Sequence, residues 1–60
     1  MATNLEIRIL QKSILFDLLK LRKDDEKLAD SKGLNDLIIR TEATMEQEDI
    51  AFVREKISQL

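Results

Sequence analysis

Ten of the seventeen residues from Leu5 to Leu21 are apolar, and no proline or glycine interrupts them. A helix that packs once against its own domain needs a single apolar stripe. At about 100° per residue, Ile7, Leu10, Ile14, Leu18, Leu21 and Leu28 fall within an arc of roughly 80°. Leu5, Ile9 and Phe16 lie nearly opposite, with Leu15 and Leu19 between. The segment therefore predicts a helix with two apolar faces. The main stripe is assigned to the core of the monomer. The second face needs later helices of the same chain or another chain.

Magnitudes favour another chain. Burying one Leu, Ile or Phe side chain stabilises by about 1.5–3 kcal/mol, so leaving Leu5, Ile9 and Phe16 in water forgoes roughly 5–9 kcal/mol. That is comparable with the whole stability of a small domain, about 5–15 kcal/mol. An oligomer interface built from Leu5, Ile9, Phe16 and Leu19 is expected, with a two-fold dimer as the commonest closed form. A chain of 60 residues has room for one domain, 1–60, and buries too little surface to be robust alone. Without Cys or His it has neither a disulfide nor the usual zinc site as support.

The rest of the composition selects helices. There is no Pro, Trp or Tyr, one Gly and two Phe. Long stretches without breakers, rich in Leu, Glu, Lys and Arg, favour helix over strand. Thr3 and Glu6 have the spacing of a capping box. Beyond Leu21, the run Arg22-Lys23-Asp24-Asp25-Glu26-Lys27 is wholly charged, and only Leu28 and Ala29 follow. Helix 1 is expected over about residues 4–31, ending at Gly33 in the left-handed position past a helix end. After it, Leu34, Leu37, Ile38 and Thr41 form one stripe, and Ile50, Val53, Ile57 and Leu60 another. On one straight helix these would be rotated by about 120°. A break near Ala43 resolves the conflict, with Thr44 and Gln47 as a second capping-box pair. The prediction is an all-α fold: a long helix 1, a short helix 2 over 35–42 and a medium helix 3 over 45–59. A two-helix hairpin is the alternative, and dimeric assembly into a helical bundle is expected. Leu5-Glu6-Ile7-Arg8-Ile9 also alternates as a half-buried strand would, a minority reading.

Chemistry finds little footing. No His or Cys is present as base or nucleophile, and Ser13, Ser31 and Ser58 have no general base at a recognisable spacing. One Gly rules out a glycine-rich phosphate loop. Asp24, Asp25, Glu26 and Asp30 lack the glycine that a calcium loop needs six positions in, where Ala29 stands. No catalytic residue, cofactor or metal is expected. No apolar run approaches a membrane span. Glu6, Asp17 and Lys20 do not fit a secretory or organellar leader. Zero Cys makes a reducing cytoplasm the default.

Two surface readings remain. Met45 and Phe52 lie together off the helix 3 stripe, either as partner contacts or packed at the helix 2–3 junction. Lys20, Arg22, Lys23 and Lys27 fall within eight residues, and a dimer would double that patch along a phosphate backbone. Interleaved Asp24, Asp25 and Glu26, a net charge of −2 and the lack of a neighbouring aromatic count against nucleic acid. The expected role is a small non-enzymatic adaptor, inhibitor or regulator acting by protein–protein contact. A dimeric nucleic-acid-binding regulator is the alternative.

Overall fold

The computed structural model describes residues 3–60; Met1 and Ala2 of the expected 1–60 domain lie outside the described residues. The described chain is all-helical, with three α-helices and no strand among its residues. The minority reading of residues 5–9 as a strand is thereby overturned. Helix α1 spans Asn4–Asp24, α2 Lys32–Ala43 and α3 Gln47–Ser58. A 3-10 helix, Glu26–Asp30, links α1 to α2.

The Thr3–Glu6 capping box is formed: Glu6 N–H donates to Thr3 Oγ1 at 3.1 Å, and Thr3 N–H to Glu6 Oε2 at 3.4 Å. The other end of α1 departs from expectation. It stops at Asp24 rather than near Ser31. The charged run offers no apolar contact to hold a further turn, and the Asp25 carboxylate competes by accepting Lys27 N–H at 3.0 Å. Ser31 then starts α2, its hydroxyl accepting Leu34 N–H at 3.3 Å. Gly33 is therefore not a left-handed cap. It lies in the first turn of α2, and no residue among those described has positive φ.

The break expected near Ala43 is there, so the two-helix hairpin is excluded. Its chemistry differs from the expected capping box. Thr44 closes α2, its hydroxyl donating to Thr41 O at 2.8 Å. Glu46 precedes α3 with no side-chain cap bond. Helix α3 starts at Gln47, two residues later than expected.

Side-chain bonds fix the packing. Arg22 Nη1 donates to Asn35 Oδ1 at 2.9 Å, and Gln11 Nε2 to Thr44 O at 3.1 Å, so α2 runs antiparallel to α1. Arg8 meets Asp49 while Lys23 Nζ reaches Ile57 O at 3.0 Å, so α3 runs parallel to α1. Arg54 closes the remaining side with a two-pronged pair to Glu42 at 2.7 and 3.0 Å. The core is Leu15, Leu19, Ile38, Met45 and Val53, with Phe16, Leu18, Leu34, Ile50 and Ile57 packed around it.

This core reverses the expected orientation of α1. Leu15 and Leu19 face inward, while Ile7, Leu10, Ile14 and Leu21 of the main stripe are exposed. Counting apolar residues favoured the main stripe. Of the main stripe, Leu18 packs against the core, and the inner face combines Leu15, Leu19, Phe16 and Leu18 with Arg8, Gln11, Arg22 and Lys23, whose hydrogen bonds the later helices satisfy. Polar groups at a packed face are tolerated when they are paired.

Candidate interaction site

The capping box sets the start of α1, and the helical repeat then gathers Leu10, Leu21, Ile14 and Ile7 within about 60° of arc. They are 58%, 51%, 51% and 42% exposed. The arc lies opposite Leu15 and Leu19, so α2 and α3 do not reach it. Its two edges differ. Gln11 and Arg22 flank it on the side bonded to α2. On the other side Asp17, Lys20, Leu21 and Asp24 line one shallow groove. Lys20 Nζ lies 3.7 Å from Asp24 there, an exposed i,i+4 pair of little energetic weight.

The residues expected at the oligomer interface are dispersed. Leu19 belongs to the core of its own chain, and Phe16 is half-buried against that core. Leu5 and Ile9 remain 66% and 50% exposed. Arg8 already meets Glu48 and Asp49 in the first turn of α3, so Leu5 lies about a turn beyond the start of α3. Met45 is also a core residue, filling the α2–α3 junction.

Phe52 is 51% exposed. The ammonium groups of Lys12 and Lys56 each stand 5.4 Å from its ring centroid, within cation–π range. Lys56 is four residues on, so that pairing is legible in the helical repeat. Lys12 arrives from α1 and is not.

The basic cluster is divided among internal tasks. Arg22 is turned to Asn35. Lys23 Nζ donates to Ile57 O and Leu60 O, both at 3.0 Å, satisfying carbonyls at the end of α3. The sequence could not show this, because it depends on α3 running beside α1. Lys20, Lys23 and Lys27 remain exposed, and Arg22 is half-buried.

Asp49 is the one buried charged residue among those described. Arg8 grips it with Nε to Oδ2 and Nη2 to Oδ1, both at 2.9 Å, and Nη2 also reaches Glu48 at 2.7 Å. These hydrogen bonds hold the Asp49 carboxyl below the usual carboxylate range despite its burial, and push the Arg8 guanidinium further up. A fully paired carboxylate is a structural clamp, not a poised base. Among the described residues no three His, Cys, Asp or Glu groups cluster to hold a metal ion. No described helix is long and apolar enough to cross a membrane.

No family model, curated protein or solved structure matches this chain. On its surface, Ile7, Leu10, Ile14 and Leu21 form a contiguous exposed apolar stripe along α1.

Proposed function

We propose that the chain is a small non-enzymatic protein–protein interaction module that self-associates through α1, serving as an adaptor, inhibitor or regulator in the cytoplasm. One observation carries this reading: Ile7, Leu10, Ile14 and Leu21 form an exposed stripe on the face of α1 turned away from its own core. Scattered exposed leucines are ordinary, but a contiguous stripe is not. With neighbouring Leu37, also exposed, the patch is on the order of 500 Å², near the top of the ~300–600 Å² typical of the largest patch on a monomer. The expected partner is a second copy. The face differs from the one the sequence suggests, with Ile14 rather than Phe16 at its centre.

Sedimentation equilibrium tests the reading. The native chain is expected to dimerise at tens of micromolar, and Ile14→Glu to sediment as a folded monomer. A native chain that is monomeric at those concentrations rejects self-association.

A further inference from the structure

The outer face extends beyond α1. On α2, Glu42 turns to Arg54 of α3, and Leu34 packs on the core. Leu37 sits about 140° around the helix from Glu42, on the flank away from α3, and Arg40 follows it by about 60°. Leu37 is 48% exposed and Arg40 is exposed too. The α1–α2 layer therefore presents one apolar surface, from the α1 stripe to Leu37, with unlike edges. The α1 edge away from α2 is net acidic: it carries Asp17, Asp24 and Glu6, with Lys20 paired to Asp24 at 3.7 Å and Asp17 left without a cation of its own among the described residues. The far edge of α2 carries Arg40 beside the apolar surface, with Asp36 further round.

Two face-to-face pairings of such layers have two-fold symmetry. An axis perpendicular to the helices lays α1 on the partner's α1 and sets acidic edge against acidic edge. An axis parallel to the helices lays α1 on the partner's α2 and sets acidic edge against Arg40. Levels along the helices agree with the second. Asp17 is five residues before Arg22, and Arg40 five residues after Asn35, the residue Arg22 bonds. At 1.5 Å per residue in antiparallel helices, both lie about 7.5 Å to the same side of that bond. Leu21 and Leu37 agree in level to within about a residue by the same count. A parallel axis preserves level, so it brings Asp17 beside the partner's Arg40 and Leu21 over the partner's Leu37. Within one chain Asp17 and Arg40 sit on opposite edges of the layer and do not meet.

Resting on the self-association reading, we infer that a second copy of this chain docks with its α2 on the outer face of α1, forming a four-helix bundle in which Asp17 pairs with Arg40 of the partner subunit twice. The patch of on the order of 500 Å² supplies most of the ~800 Å² per partner of a standard interface, and the charged edges form its rim.

Because the chain has no cysteine, disulfide trapping reports the pairing cleanly. Mixing Asp17→Cys with Arg40→Cys under mild oxidation is expected to give a cross-linked heterodimer, with little product from either variant alone. In sedimentation, Asp17→Arg and Arg40→Asp should each weaken dimerisation about tenfold, since every reversal acts twice per dimer. The double variant should recover to within about threefold of the native chain. Efficient self-cross-linking of Asp17→Cys would overturn the inference in favour of α1 on α1, leaving self-association standing. A native dimer indifferent to both reversals, or a double variant as weak as the singles, overturns it as well. A monomeric native chain would instead remove the reading on which it rests.

Discussion

Arg8 and Asp49 show how one contact from the first turns of α1 locates a helix forty-one residues away. The Asp49 carboxylate is 4% exposed and both its oxygens are occupied by the guanidinium. Such a pair fixes register, and breaking it leaves a buried charge without a partner. Its titration has a definite sign. The folded-state pKa lies below the ordinary 3.8, so the carboxylate contributes stability above that value and loses it as pH falls through the lower folded pKa. In acid titrations followed by circular dichroism, Asp49→Asn should be less stable than the native chain at neutral pH. The two curves should converge as pH falls through the lowered folded-state pKa of Asp49. Curves that stay parallel into acid would show that the Asp49 charge contributes nothing. The neighbouring pair Ile14 and Leu15 divides the two faces of α1 just as sharply. Leu15→Ala empties a fully enclosed site and should cost about 2–5 kcal/mol at any protein concentration. Ile14→Ala should cost far less under dilute conditions, where the outer face is free. Equal costs in dilute denaturant titrations would place both side chains in the same core.

At the scale of elements, the start of α1 was readable because Thr3 and Glu6 satisfy each other locally, with no help from the tertiary fold. The α1–α2 junction is ambiguous in the sequence because Ser31 and Gly33 lie two residues apart and carry opposite signals. Glycine after a long pattern suggests an end; serine three residues before Leu34 suggests a beginning. The serine prevails, since Asp25 has already diverted the chain. This makes Gly33→Ala a discriminating substitution. A Cβ at Gly33 meets nothing within 4 Å, and the backbone there is helical. Alanine should stabilise by about 0.5–1 kcal/mol, or roughly 4–8 °C per kcal/mol for a domain of this size. A left-handed glycine would give the opposite sign. Ser31→Ala removes the cap of α2 and should cost about 1 kcal/mol. A melting temperature unchanged by that substitution would mean that the cap contributes nothing. The orientation of α1 was less legible than its existence. Which apolar arc turns inward depends on where Arg8, Gln11, Arg22 and Lys23 find partners, and those partners lie thirteen to forty-one residues away.

For the whole molecule, dimensions argue the same way as the stripe. The chain exposes 4609 Å², against about 4,000 Å² for a compact monomer of its mass. Its radius of gyration is 11.8 Å, against about 10.4 Å for an independent domain of its length. Extents of 37 × 24 × 17 Å describe a flattened slab, with α1 and α2 side by side along one face. A slab of this kind has no interior on the far side of α1, so Ile7, Leu10, Ile14 and Leu21 gain a core only when a second slab closes over them. Under the proposed self-association, folding and association would be linked, and stability would depend on protein concentration. The native melting temperature should rise measurably between about 5 and 500 μM, because a dimer gains about 1.4 kcal/mol of stability for each tenfold rise in concentration. Ile14→Glu should melt at one temperature across that range, below the native chain at the concentrated end and close to it when dilute. Differential scanning calorimetry distinguishes the cases. A native chain whose transition is independent of concentration would show that one slab is stable alone, with its outer stripe left in water at no thermodynamic disadvantage.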